Sequence, residues 1–463
     1  MIKIKLLFVT MLVSICLMLS TSYLKADEVK SGFTSVPTVD FEKAYKKLSA
    51  EKKYYMQRQK KLLNERYDLS NIPSKDITMS RGKPIQTGVR VKLPKGVKSF
   101  EELSKMTPEE IKEKGLFPKG FLPLPHAKHE AGGQVYPQMQ IDEIKKQEGR
   151  DLSRFDIEYD IPEHFLPEFP PAIYLTTRPD LGDVSKGELV TIKNYYRLFK
   201  DILTPKQLEG LRLLVTAFPQ QEFNMTDDRK SKEPSRGVAC FDCHANGHTN
   251  GAFHLEQSVR PHPYRMRIDT PTLRGVNIQR LFGSKRALKS VEDFTEFEQR
   301  GAYFDGDIVI ATKKGVNVLE RGSQVHAMAE FQEILDFPPA PKLNVYGKLI
   351  KEKATPAELR GQELFFGKAE CSKCHTPPFY TDNLMYDLKV ERFYKDTSYN
   401  GKKASAEGLI KNFPLRGLKD SPPYLHDGRL LTIEDTVEFF NLILELKLTK
   451  SEKSDLVAFL RCL

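Results

Sequence analysis

Apolar residues recur at helical spacing in only a few stretches of this chain, and those stretches set the expected architecture. Phe41, Tyr45, Leu48, Tyr55 and Leu62 mark one face of a basic helix. Two more helices open at Thr204-Pro205 and Thr355-Pro356, each with a threonine cap and a proline in the first turn, where a missing N–H costs nothing. Val325, Met328, Phe331 and Leu335 share a helical face that Phe337-Pro338-Pro339-Ala340-Pro341 cannot continue. The last helix starts at Thr449, with Glu452 at capping-box spacing, and buries Leu456, Phe459 and Leu460. Elsewhere in the first two hundred residues the pattern is Pro-rich and aperiodic, as in Phe121-Leu-Pro-Leu-Pro-His126. The expected fold class is mainly α, with a less regular N-terminal extension.

The first residues change the picture of where the chain works. Lys3 and Lys5 precede an apolar run from Leu6 to Leu19, then small and polar residues up to Ala26, the layout of a secretory signal over residues 1–26. The run is short for a membrane span, although an uncleaved anchor is the alternative reading. Cys16 lacks the small preceding residue that a lipoprotein signal needs. The protein is expected to be periplasmic or otherwise exported. The formal charge of +10 falls to about +7 without the three lysines of the signal. That balance is spread along the chain and leaves no basic patch for nucleic acid.

Of six cysteines, one lies in the signal, four lie in two C-x-x-C-H motifs, and Cys462 is left over. Disulfides are therefore not the framework. Cys240-Phe-Asp-Cys243-His244 and Cys371-Ser-Lys-Cys374-His375 each place two thiols and an imidazole where a covalently attached haem needs them. The thiols add across the vinyl groups and the histidine turns beneath the ring to ligate iron. A zinc ribbon would bring its two pairs within about 20 residues, whereas 127 residues lie between Cys243 and Cys371. Two haem c groups are the expected cofactors, with His244 and His375 as axial ligands. His126 and His129 are read as a surface pair in a loop.

The surroundings of the two motifs repeat. Thr204-Pro-Lys-Gln-Leu-Glu-Gly210 matches Thr355-Pro-Ala-Glu-Leu-Arg-Gly361, and past the motifs the match continues without gaps at an offset of 142. Leu273-Arg274-Gly275 pairs with Leu415-Arg416-Gly417, and Glu296-Phe297 with Glu438-Phe439. Two tandem cytochrome-c-like haem modules, over residues 201–345 and 346–463, account for this, behind an extension of unknown role over 27–200.

From about residue 200 onwards the chain resembles the di-haem cytochrome c peroxidase and MauG family. The resemblance rests on both haem motifs, on Asp269-Thr-Pro-Thr-Leu-Arg-Gly275, and on Phe413-Pro-Leu-Arg-Gly417 followed by Pro423-Tyr424-Leu425-His426-Asp427-Gly428. It implies an exported oxidoreductase in which the N-terminal haem meets hydrogen peroxide and the C-terminal haem takes electrons from a small donor of cytochrome or cupredoxin type. It also implies candidate roles. His262 is the counterpart of the distal histidine that caps the peroxide-reacting iron, and Glu292 of a glutamate that moves protons there. Arg274 and Arg416 could pair with haem propionates. Asp269, Ser421 and Pro423 match a calcium site between the modules. Each has a plainer reading as loop residue, helix cap or surface ion pair.

The departures are as informative. The family's C-terminal haem takes Met or Tyr as sixth ligand fourteen residues after the histidine of Pro-Tyr-x-His-Asp-Gly, and here that residue is Phe440. Phenylalanine cannot coordinate iron. Met385, the one methionine after the second motif, is the remaining candidate ligand. The chain has no tryptophan, so the indole that stands between the haems in the family is missing. Peroxidase-like chemistry is the leading expectation, with a pure electron carrier and a MauG-like oxidase acting on a protein as alternatives. The oligomeric state stays open, a homodimer included.

Overall fold

A computed structural model describes residues 41–127, 134–153, 157–217, 238–255, 266–304, 319–396, 398–399, 402–403 and 406–463. Helices dominate. In chain order they include α1 (Phe41–Arg66), α2 (Pro108–Lys114), α3 (Gln138–Glu148), α4 (Pro205–Leu214), α5 (Val291–Phe304), α6 (His326–Gln332), α7 (Pro356–Phe366), α8 (Ile433–Ile443) and α9 (Lys450–Leu460). Among the described residues only two-stranded ribbons accompany them: β1 (Pro73–Thr78) with β2 (Pro84–Gln86), β3 (Phe253–Leu255) with β4 (Arg267–Asp269), β5 (Met385–Asp387) with β6 (Leu409–Lys411), and two shorter pairs. Among the described residues no helix is long and apolar enough to cross a membrane.

The helix starts follow from local chemistry. Thr204, Thr355 and Thr449 each accept from the backbone N–H three residues on, and Gln207, Glu358 and Glu452 return the bond to the cap residue's own N–H. Each box satisfies two donors that the first helical turn leaves unpaired. One helix is shorter than its apolar spacing predicts. α6 stops at Gln332 because Leu335 and Asp336 are drawn into an extended pair with Tyr174 and Leu175, where the Leu335 carbonyl also accepts from Gly275 N at 2.9 Å.

The repeat seen in the sequence has a structural counterpart. Phe282 bridges Leu288 as Tyr424 bridges Leu430, 142 residues on. Gly275 and Gly417 both take left-handed backbone, φ +73° and +72°, and a Cβ on Gly275 would lie 2.0 Å from Phe337 Cζ. Only glycine fits that place. In one half α4 packs on α6, in the other α7 packs on α9, and the repeated glycines, Gly210 and Gly361, sit in those contacts.

The extension is built into the rest of the molecule. Leu63, Tyr67, Phe121 and Phe165 share a buried cluster with Phe365, Phe439 and Phe459, and Ile173, Val190 and Phe199 share another with Leu211, Met328 and Phe331. α1 buries Gln59, Leu63 and Arg66 with Tyr55 and Leu62 half-buried; the side chains of Phe41, Tyr45 and Leu48 lie outside the described part. Polar bonds fasten the seam: Arg90 N and Val91 N donate to Asp435, Leu124 N to Asp427, and Tyr67 Oη to the Arg429 carbonyl. His126 is fully buried, its ring packed edge-on against Phe253 of β3, contrary to its expected place on the surface; His129 lies outside the described residues.

Two candidate haem cavities

The first motif forms a single helical turn, Cys240–Cys243, whose geometry comes from Asp242. That buried carboxylate accepts from Ala239 N at 2.7 Å and from Arg150 of the extension through two parallel bonds of 2.8 and 2.9 Å. A bidentate guanidinium fixes orientation as well as charge. The second motif has no such clamp; Cys371–Lys373 is a 3-10 turn, and the Cys374 carbonyl accepts from Asn412.

Both motif histidines are prepared in the same way. His244 Nδ1 donates to the Pro271 carbonyl at 2.9 Å and His375 Nδ1 to the Tyr380 carbonyl at 2.9 Å, which fixes the tautomer and leaves Nε2 as the basic nitrogen. Burial keeps both rings neutral, His244 pushed down to about 4. Burial also holds the Cys243, Cys371 and Cys374 thiols protonated, Cys371 pushed up to about 12.

Each histidine opens onto a cavity. The first, about 300 Å³, is lined by Cys240, Cys243 and His244 with Phe282, Phe294 and Glu298 opposite. The second, about 340 Å³, is lined by Cys374 and His375 with Arg416, Tyr386 and Phe440. Cys371 stands beside this wall, its Sγ donating to the Ala369 carbonyl at 3.4 Å. The two cavities share a partition: Asp269, Thr270, Pro271, Thr272, Gln279, Phe413 and His426 line both.

The remaining expected site residues divide. Asp269, Ser421 and Pro423 come together in the wall of the second cavity. Burial holds the Asp269 carboxyl well above the usual range, and its Oδ1 and the neighbouring Thr270 Oγ1 are buried without a hydrogen-bond partner. Unpaired buried oxygens of this kind suit a hard cation. A second acidic group, Glu407, His426 and Asp427, is already neutralised by Arg429, which pairs with both carboxylates. Arg416 lines the second cavity and, among the described residues, donates to the backbone oxygens of Leu463 and Pro338.

Other expectations are redirected. Arg274 belongs to the first motif's neighbourhood in sequence, yet its guanidinium meets Asp420 at 3.4 Å and the Ala172 carbonyl at 2.7 Å, in the wall of the second cavity. Glu292 is not in the first cavity: it sits in the opening turn of α5 and accepts from His326 Nδ1 at 3.0 Å. Helical periodicity turns Val291, Phe294, Thr295 and Glu298 inward instead. Met385 lies on β5 opposite Lys411, and it is Tyr386 and Asp387, not Met385, that reach the second cavity. His262 lies outside the described residues. Lys411 and Phe282 went unnoticed in the sequence. Phe282 was within reach, since the 142-residue offset sets it opposite Tyr424 of the Pro-Tyr-x-His-Asp-Gly motif.

No model of a known protein family matches the chain. It is similar to the cytochrome-c peroxidase IdrP1 of Pseudomonas sp. (strain SCT), at 27% identity over 26% of this chain and 42% of that protein. It is similar to the methylamine utilization protein MauG of Methylorubrum extorquens, at 32% identity over 30% of this chain and 42% of that one. The cytochrome c551 peroxidase of Nitrosomonas europaea is 30% identical over 30% of this chain and 42% of its own. The chain thus spans about two fifths of the length of the curated relatives it matches, and its resemblance to cytochrome-c peroxidases and MauG is upheld.

Proposed function

We propose that this relative of the cytochrome-c peroxidases and MauG is an exported oxidoreductase holding two haem c groups, and that it reduces hydrogen peroxide with electrons from a small redox protein. The observation that carries this reading is the paired preparation of His244 and His375: neutral rings, Nδ1 tied to a backbone carbonyl, each beside a cavity of several hundred Å³. In this reading residues 201–345 and 346–463 are two haem modules and the extension is their brace.

Haem supplies the redox-active iron when bound; the chain supplies the rest. Cys240 and Cys243, and Cys371 and Cys374, would hold the haems covalently, and His244 and His375 would ligate the irons. Phe282, Leu288 and Phe294 give the first cavity an apolar lining. Glu298 is a carboxylate in the lining of that cavity and can hold and return a proton at its carboxylate oxygen, the task the resemblance assigned to Glu292. Arg416 offers the second cavity a guanidinium for a propionate. Calcium at Asp269 with Ser421 and Pro423 would tie the shared wall to the second half.

The alkaline pyridine spectrum of the purified protein is expected to show two c-type haems per chain. Cys243→Ala or Cys374→Ala should leave one ring with a single thioether, and two fully linked rings in either variant would reject the assignment. Oxidation of a reduced donor by peroxide, with a high-spin ferric haem in the half-reduced protein, is expected of the enzyme. Two low-spin haems inert to peroxide would make the protein an electron carrier.

Calcium is tested separately. Chelation should lower the melting temperature of the haem-loaded protein, and Asp269→Ala should melt at the same temperature with and without calcium. Wild-type protein indifferent to chelation would dismiss the site.

A further inference from the structure

One charge in the partition between the cavities is not used by any of this. Lys411, the last residue of β6, is 3% exposed. Its ammonium donates to Gln279 Oε1 at 2.9 Å and to the Leu281 carbonyl at 2.8 Å. The aromatic faces of Phe413 and Phe282 lie 5.3 and 5.6 Å away. Lys411 and Gln279 line the second cavity, Gln279 and Phe413 line both, and Phe282 lines the first. The ammonium therefore stands in the partition itself, reaching from the second half into a loop of the first.

No carboxylate of the described residues pairs with it. Among the described residues the other buried cations have an acid or several backbone carbonyls: Lys453 meets Glu438, Arg429 meets Asp427, Arg267 meets Asp160, and Arg66 donates to the carbonyls of Pro123, Gly120 and Leu122. Lys411 has one amide, one peptide carbonyl and two ring faces, which are dipoles and quadrupoles, not charges. Lysine almost never enters a protein interior without a counter-charge, because removing an ammonium from water is costly. Burial and the neighbouring Arg286 lower its affinity for a proton to about 8, as expected when no anion faces it. A buried cation of this kind leaves a net positive potential in the cavity wall, where it favours whatever brings negative charge.

We propose that Lys411 is the electrostatic positioning residue of the inter-cavity wall: its positive charge raises the reduction potential of the group held at His375, and so makes that cavity the place where an incoming electron rests. The inference rests on a haem occupying the second cavity. A unit charge about 10 Å away at an effective dielectric near 20 changes an equilibrium by roughly tenfold or more. Arginine in its place would keep the charge, whereas methionine would keep the bulk and remove it.

Potentiometric titration of the haem-loaded protein tests this. Lys411→Met is expected to lower the midpoint of the His375 haem by about 59 mV, the equivalent of a tenfold change for a one-electron couple. The His244 haem should move in the same direction by less, and Lys411→Arg should leave both midpoints near those of the wild type. The pyridine spectrum of each variant is recorded first. Variants that carry two haems yet keep wild-type midpoints would overturn the role of Lys411 alone, and an equal fall in the Arg and Met variants would assign the effect to packing. Wild-type protein without a haem on Cys371 and Cys374 would instead remove the reading on which the inference stands.

Discussion

Phe440→Met is expected to convert the haem at His375 from an open to a closed coordination state, giving a low-spin ferric iron with a thioether as sixth ligand. Phe440 lies on α8 and lines the second cavity beside Phe439, whose ring also packs edge-on against Phe121 of the extension at 5.4 Å. That contact ties the helix to the extension, and what stands at 440 is delivered to the cavity. Thr432 caps this helix through Asp435 N, and Asp435 in turn accepts from Arg90 N at 2.7 Å and Val91 N at 3.0 Å, which fixes its first turn to the extension. Methionine is close to phenylalanine in volume and adapts its three torsions to the space, so the substitution should cost less than about 1.5 kcal/mol of stability. Paramagnetic resonance should show the loss of one high-spin signal, and the midpoint of that haem should shift because axial ligand identity sets it. The His244 haem should be unchanged. A wild-type haem already low-spin, losing that state in Met385→Ala and indifferent to Phe440→Met, would defeat the prediction and return Met385 to consideration.

How far this site was legible in the sequence depends on the reach of each interaction. The haem motifs and the helix starts at Thr204, Thr355 and Thr449 are written within a few residues, since a cap and its partner lie three apart. The fixed offset of 142 carried the repeat, and with it the matching bridges of Phe282 and Tyr424. For Glu292 the reason is equally local: the helix turns that position toward His326, and it is Glu298 that lines the cavity. What could not be read joins distant segments: Arg150 with Asp242, Arg274 with Asp420, Lys411 with Gln279. No periodicity encodes such pairs, and the extension, which supplies many of them, has an aperiodic sequence because its backbone follows the surface of the helices it braces. A buried lysine is also the residue that sequence reasoning expects least.

Gly361→Ala is expected to be among the most damaging single methyl additions at the glycines of the described residues. The glycine lies inside α7, where alanine on its own would stabilise a helix by about 1 kcal/mol. Packing reverses the sign. A Cβ at 361 would stand 2.0 Å from the carbonyl oxygen of Asp455 and 2.8 Å from Phe459 Cβ, so α7 and α9 touch backbone to backbone there. A flexible side chain could swing aside, but a peptide group cannot, and Asp455 is further held by two bonds to Arg360 of 2.7 and 2.8 Å. Separating the helices would also pull apart the edge-on rings of Phe365 and Phe459, 5.3 Å between centroids. Overpacking in a close-packed core costs about 1–3 kcal/mol, and more where backbone must move, against a total stability of roughly 5–15 kcal/mol. Gly210→Ala, whose Cβ would stand 1.9 Å from the Ala327 carbonyl, should behave alike in the other half. Gly322→Ala, with nothing closer than 4.0 Å, is the control and should melt as the wild type does. Because α7 leads straight into Ala369 and the Cys371 motif, Gly361→Ala should also reduce the fraction of chains with haem attached there, while Gly210→Ala should spare it. Thermal melts in which Gly361→Ala matches Gly322→Ala would show that the two helices are free to part, and that the repeated glycine is not what sets their distance.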